Sequence, residues 1–398
     1  MERIILHCDL NNFYASVECM KDPALKKVPL AVCGSREERR GIVLAKNEKA
    51  KALGVKTGEA IWEAKMKCPD LVTVPPDMRE YIYRSGQVRR VYENYTDTVE
   101  PFGIDECWLD MTGSAHLFGG GVSAADMIRE EVKARTGLTI SCGVSFNKVF
   151  AKLGSDLKKP DAVTVIPPGD WRNIVHPLPA SALIGVGRKT DKKLRSRGIF
   201  TVGDIAAADE RLIGDMLGKN GLWLMRAARG LENAPVVKGE YMPEPKSIGR
   251  GATYPHDITK PEEISTLILK LSHEVARKLR AGRYFADRIQ LTVKRSDLSH
   301  REYGAPLMFN TQTAYDIWRC ALELFLSRHD LRAFPVRALS VRACGLSGEH
   351  EPRQLSIFEG SGERLKRARA ERAMDEINAR FGKRTIQAAS CRFDPVKL

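Results

Sequence analysis

The chain has 398 residues, 43% hydrophobic and 29% charged, and its 64 Lys and Arg against 50 Asp and Glu give a net charge of +14. That length predicts two to four domains, no run is pure enough for a membrane helix, and MERIILHCDL lacks a signal peptide's apolar stretch. Nine scattered cysteines without a CxxC pair argue against a disulfide framework or zinc site and for the reducing cytoplasm. The basic balance points to a polyanion, nucleic acid before membrane. From Pro245 to Gly345 there are 17 Lys and Arg against 10 Asp and Glu, which is half the total excess in about a quarter of the chain.

The first 165 residues alternate strand-like and helix-like patterns. Arg3–Cys8 reads as a strand, Asn11–Met20 as a helix, Gly41–Ala45 as a strand and Glu48–Leu53 as a short helix stopped by Gly54. Ala124–Ala134 is an amphipathic helix and Leu138–Val144 a strand, before turn signals at Lys158–Pro160 and Pro167–Gly169. Short helices separated by glycines follow from Trp171 to Leu231. Within them, LIGVGRKTDKKLRSRGIFTVGDIA joins a basic helix to a second helix through glycine turns. Such turns expose backbone N–H groups that can hold a phosphate. Arg188, Lys189, Lys192 and Lys193 crowd there, so a helix-hairpin-helix gripping a DNA backbone is favoured over a merely solvated basic face.

Asn233–Pro245 carries three prolines and reads as a linker. Beyond it, DRIQLTVKRSD and PVRALSVRACGL alternate with period two, while Glu262–Leu279 and Ala314–Leu326 look helical. This predicts a half-exposed sheet backed by helices, with Arg288 and Lys294 available to a nucleic-acid backbone. The whole is an α+β multidomain chain.

In VEPFGIDECWLDMTG, two apolar runs meet at Asp105 and Glu106. Neighbouring carboxylates in a buried strand cost several kcal/mol each unless compensated. They would point to opposite faces of a straight strand, and a hairpin turn would let them converge. Asp9, after the apolar IILHC, offers a third acid at a strand end. Three carboxylates suit hard cations such as Mg²⁺, and two such ions could clamp an in-line phosphoryl displacement. The plainer alternative is pairing with some of the many Lys and Arg.

HCDLNNFYASVE, FGIDECWLD, GVSFNKVFAKLGSDLKKP and GVGRKTDKKLRSRGIFTVGDIA, in this order and spacing over about residues 1–345, together resemble the Y-family (translesion) DNA polymerases, nearest to the DNA polymerase IV branch. The resemblance implies a right-hand polymerase. Its palm would be residues 1–165 with small fingers inserted near 20–75, its thumb 166–232, its linker 233–245 and its little finger 246–348, with a tail over 349–398. It implies Asp9, Asp105 and Glu106 as catalytic acids holding two Mg²⁺ with the Leu10 carbonyl, and Tyr14 as the steric gate against a ribose 2′-OH. It implies Asn12, Phe13, Tyr14, Lys51 and Lys159 around the incoming deoxynucleoside triphosphate, and primer-template DNA on the basic thumb and little finger. The chain would act as a monomer, without a membrane and without a proofreading exonuclease.

Three departures stand out. Asn11 replaces a usual second acid, Gly103 replaces a Ser, and VLAKNEKAK replaces a stretch typically like VATANYEAR. The usual triphosphate-contacting Thr, Tyr and Arg thereby become Ala45, Glu48 and Lys51, and Lys51 keeps the charge without the bidentate fork. Glu48 is expected to turn away or pair with a lysine.

In the tail, RQLSIFE resembles the peptide by which bacterial polymerases dock on the sliding clamp. Gln354, Leu355, Ile357 and Phe358 would form its anchor, against the alternative of a local hydrophobic staple. Arg364–Phe381 reads as a charged amphipathic helix. A catalytically impaired DNA- and clamp-binding scaffold is the second reading and a nucleotidyl cyclase the third.

Overall fold

The computed structural model describes residues 2–239, 244–351, 361–382 and 385–391. Its strands are β1 (Ile5–Leu10), β2 (Leu30–Cys33), β3 (Val43–Lys46), β4 (Val72–Val74), β5 (Val99–Pro101), β6 (Glu106–Asp110), β7 (Ile140–Ser145), β8 (Val163–Val165), β9 (Ser247–Ile258), β10 (Tyr284–Arg295), β11 (His300–Thr311) and β12 (Val336–Gly348). They form sheets of order β5-β6-β1-β7-β8, β3-β2-β4 and β11-β10-β12-β9. The chain divides into two units, Met1–Gly34 with Ile42–Met242, and Ser35–Gly41 with Pro243–Leu398.

In the first unit β1 is central and buried at every residue. Leu6, Cys8 and Leu10 face the core built with helices Met78–Tyr92 and Gly121–Thr136, while Ile5 packs with Trp108 and with Ala151 of helix Lys148–Leu157 on the other face. A strand covered on both sides must read as a continuous apolar run, and IILHC does. The strand starts later and ends later than expected. Its ladder continues because Leu10 N–H donates to Asp105 O at 2.9 Å, so Asp9 lies inside the strand. The next helix starts at Phe13 rather than Asn11, because Asn12 takes a left-handed conformation (φ 48°) that turns the chain.

Helix Lys148–Leu157 sits unusually close to β7. A Cβ on Gly143 would lie 1.9 Å from Ala151 O and 2.5 Å from Ser155 N, so only glycine lets these backbones meet. This contact fixes the height at which the helix presents its polar side chains over β1. The β3-β2-β4 sheet packs Leu30 and Val32 against Ala15 and Cys19 of helix Phe13–Lys21.

Helices Trp171–Val175, Arg188–Arg195, Val202–Ala207 and Glu210–Ala228 share a separate apolar cluster with Leu194, Ile205 and Leu224 at its centre. The last helix is longer than the glycine spacing suggested, and it is broken at Gly218 (φ 62°, ψ −150°). The expected linker starts as an ordered strap. Arg3 donates to Asn233 O and Ala234 O at 3.2 and 2.9 Å, and Val237 N–H donates to Glu100 at 2.7 Å.

In the second unit, helices Pro261–Ala281 and Ala314–Arg328 cover one face of the four long strands through Ile289, Leu291, Val293, Leu339 and Val341. The C-terminal helix Ser361–Phe381 is fastened to this layer. Arg280 pairs with Asp375 at 2.6 Å and with Glu371, whose carboxylate also accepts from Ala314 N–H at 2.9 Å. Among the described residues no helix is long and apolar enough to cross a membrane, and Cys8, Cys19, Cys33, Cys68, Cys107, Cys142, Cys320 and Cys344 are free thiols.

Candidate active site

The register of β1 on β6 sets Asp9 directly opposite Glu106. Cross-strand partners point to the same face, here the face under helix Lys148–Leu157. Asp105 precedes β6, in a bend that follows Gly103 at φ 93°. That bend releases Asp105 from strand alternation, as a turn at this place was expected to do. All three acids gather at one end of the central strand.

Two ammonium groups meet them. Lys152 Nζ lies 2.9 Å from Glu106, 3.4 Å from Asp9 and 3.4 Å from Asp156. Lys159 Nζ lies 2.9 Å from both Asp9 and Asp156. The pairing with lysines and the gathering of acids therefore hold together. Three carboxylates, Asp9, Glu106 and Asp156, share the two ammoniums, and with Asp105 beside them the site carries two formal negative charges.

The titration pattern reflects that deficit. Burial raises the Asp9 carboxyl against the pull of Lys159 and Lys152. Burial raises Asp105 as well, and the charges of Asp9 and Glu106 add to it. Glu106 goes the other way: burial opposes ionisation, but His7 and Lys152 outweigh it and hold the carboxyl at about 2. Burial alone would lower Lys152, yet the carboxylates of Glu106, Asp156 and Asp9 keep it above its ordinary value.

Among the described residues, no three His, Cys, Asp or Glu side chains close round one point as a metal cage would. The donor chemistry nevertheless suits a hard divalent cation. Glu106 Oε2 is buried without a well-aligned hydrogen-bond partner, the acids are oxygen donors, and the site lacks positive charge.

The neighbouring surface belongs to helix Phe13–Lys21. Tyr14 stacks on Tyr81 with ring centroids 4.2 Å apart and planes 10° from parallel, and Tyr81 Oη donates to buried Glu18 at 2.6 Å. Burial and the Asp105 charge both raise the Tyr14 hydroxyl. Phe13 is buried in the core beneath the helix. Glu48 accepts from Asn12 at 2.7 Å and pairs with Lys51 at 3.3 Å, as expected of an acid in that place. Asn11, where a second acid is usual, instead donates to Ser141 Oγ at 2.9 Å and accepts from Asp161 N–H at 2.8 Å, tying β1 to β7 and to the loop after Lys159.

Arg188, Lys189, Lys192 and Lys193 are exposed on the helix between its extended N-cap Gly187 and the Gly198 turn, while Leu194 is its buried anchor. Arg288 and Lys294 are exposed on β10, on the face away from the helices. Arg342 lies opposite Gln290 on that same face. It completes the row and was overlooked in the sequence. Gln354, Leu355, Ile357 and Phe358 lie outside the described residues. No sequence signal marked His7 and Lys152, which meet Glu106, or Ser155 behind His7.

The Glu106 carboxyl is lowered from 4.5 to about 2, so its charge stabilises the fold fully above the ordinary value and progressively less as pH falls toward 2. Glu106→Gln should therefore lower the unfolding free energy at pH 7, by about 3 kcal/mol at most, and the difference from wild type should vanish near the folded value. Urea unfolding at neutral and acid pH measures this. A gap that widened in acid would contradict the pairing.

Residues 8–156 match the impB/mucB/samB family and residues 245–357 the C-terminal domain of that family. DNA polymerase IV of Acetivibrio thermocellus is 46% identical over 96% of this chain and 96% of its own length. DNA polymerase IV 1 of Bacillus subtilis is 35% identical over 97% of this chain and 92% of its own. A Y-family DNA polymerase chimera of Dbh and Dpo4 superposes with a TM-score of 0.75 at 24% identity, covering 87% of this chain and 99% of that one. The chain has the right-hand polymerase fold of those structures, and it belongs to the impB/mucB/samB family, in the DNA polymerase IV branch of the Y-family DNA polymerases.

Proposed function

We propose that the chain is a template-directed, error-prone DNA polymerase that extends primers past damaged bases without proofreading, with Asp9, Asp105 and Glu106 as its catalytic acids. The observation that carries this reading is the unbalanced charge at the end of β1, three carboxylates on two ammoniums with Asp105 beside them, in a chain of this family. Y-family polymerases use divalent metal ions. We assign two Mg²⁺ to the three acids and the Leu10 carbonyl; when bound, they supply charge compensation and polarise phosphoryl oxygens. Lys159 offers an ammonium to the triphosphate, Lys51 and Asn12 the polar edge beyond it, and Tyr14 closes the sugar side.

The remaining assignments are of one piece with this. Residues 1–165 act as palm, with fingers over about 20–75, 166–232 as thumb, 233–245 as linker and 246–348 as little finger. Duplex is held through phosphates by Arg188, Lys189, Lys192 and Lys193 of the thumb and by Arg288 and Lys294 of the sheet, so affinity falls steeply with salt. The protein works in the cytoplasm as a monomer, and the tail over 349–398 docks on a sliding clamp of the beta-subunit type through Gln354, Leu355, Ile357 and Phe358. An impaired scaffold is not favoured, since all three acids are kept.

Asp105→Ala should abolish primer extension while primer-template affinity stays nearly intact; extension at wild-type rate would place catalysis elsewhere. Tyr14→Ala removes the ring from the space of a 2′-OH, so ribonucleotide incorporation relative to deoxynucleotide should rise by orders of magnitude. Unchanged selectivity would unseat the gate. Replacing Leu355 and Phe358 by Ala should leave synthesis without clamp unaltered and remove the gain in product length that a loaded clamp gives. An equal gain in both proteins would dismiss the docking peptide.

A further inference from the structure

His7 is wholly buried between β1 and helix Lys148–Leu157. Its Nδ1 lies 2.8 Å from Ser155 Oγ, and its Nε2 lies 3.2 Å from Glu106 Oε2. Trp108 packs edge-on against the ring at 5.3 Å. Both His7 Nε2 and Glu106 Oε2 are buried without a well-aligned hydrogen-bond partner, and Glu106 is the acid that Nε2 faces. A buried polar atom left unserved is destabilising, the more so when it is charged.

Proton accounting narrows the arrangement. Ser155 Oγ also lies 2.8 Å from Lys152 O, and one hydroxyl proton cannot serve both that carbonyl and His7. If the hydroxyl donates to the carbonyl, a neutral ring donates from Nδ1 and turns a bare Nε2 lone pair on the Glu106 carboxylate, which repels it. If the hydroxyl turns to donate to Nδ1, Nε2 carries the proton and donates to Glu106. The second arrangement serves both buried atoms.

We propose that His7 is a positioning residue: its Nε2–H, with the tautomer fixed by Ser155, holds Glu106 Oε2 so that the carboxylate is set in place for a divalent cation. Lys152 supplies charge to the same oxygen at 2.9 Å, but an ammonium on a flexible stem fixes no direction. The ring is held edge-on by Trp108 and by Ser155 of the helix that Gly143 lets close, and so it does. The inference rests on Glu106 being a metal ligand.

The test compares His7→Gln with His7→Met. The two side chains have similar length, and only Gln can donate where Nε2–H does. The readout is equilibrium binding of deoxynucleotide to enzyme on a primer ending in a dideoxynucleotide, as a function of Mg²⁺, with no chemistry occurring. The Met variant should need about tenfold more Mg²⁺ for half-maximal binding and the Gln variant close to the wild-type amount, at similar melting temperatures. Equal midpoints for Met and wild type, or a Gln variant as impaired as Met, would overturn the proposal. Wild-type binding that did not depend on Mg²⁺ would instead defeat the metal-site reading beneath it. Should neither variant fold, ¹⁵N spectra of histidine-labelled wild type decide. A protonated Nε2 at His7 that shifts when Mg²⁺ and nucleotide bind supports the role, and a bare, unresponsive Nε2 refutes it.

Discussion

Three carboxylates share two ammonium groups at the end of one buried strand, with a fourth, Asp105, beside them, and much of the first unit exists to sustain that imbalance. Carboxylates this close together, half withdrawn from water, repel one another. They stay in place because β1 is fixed on both faces and both edges, and because helix Lys148–Leu157 carries Lys152 and Asp156 to a set height above it. That height depends on a glycine. With any side chain at Gly143 the helix would have to lift, and lysine and acids would part. The site is thus a property of backbone packing as much as of its charged residues.

The second unit solves a different problem with simpler means. Period-two alternation sends Ile289, Leu291 and Val293 to the helices and leaves Arg288 and Lys294 on the open side. Long side chains on a pleated surface bring positive charge without a pocket, which suits a backbone read by charge rather than by bases. The C-terminal helix lies on the helical layer through the buried Arg280, Glu371 and Asp375 group.

Much of this was legible in the sequence because it is local. Apolar runs, alternation, glycine turns and the basic excess beyond Pro245 all follow from near neighbours, and the quoted motifs carried the identity of the acids. What could not be read was register and face. Nothing in HCDL says that His7 meets Ser155, 148 residues away, or that Lys152 rather than another lysine reaches Glu106. Glu48 was legible as an acid needing a partner, but not its hold on Asn12. Asp9 was expected just past its strand and lies within it, because Leu10 finds a backbone partner in the bend before β6. Arg342 was missed because its side of β12 is set by pairing with β10.

The length of the open sheet face has a consequence of its own. Strands β9 to β12 run 12 or 13 residues, so the face extends about 40 Å at about 3.3 Å per residue. One turn of duplex DNA measures about 34–36 Å. If the duplex lies on this face as proposed, a surface of that reach would meet a phosphate backbone over a full turn, and sliding the duplex by one base pair would present the same charges to the next phosphates. Such a face would behave as a bearing rather than a lock, with no preferred place to stop.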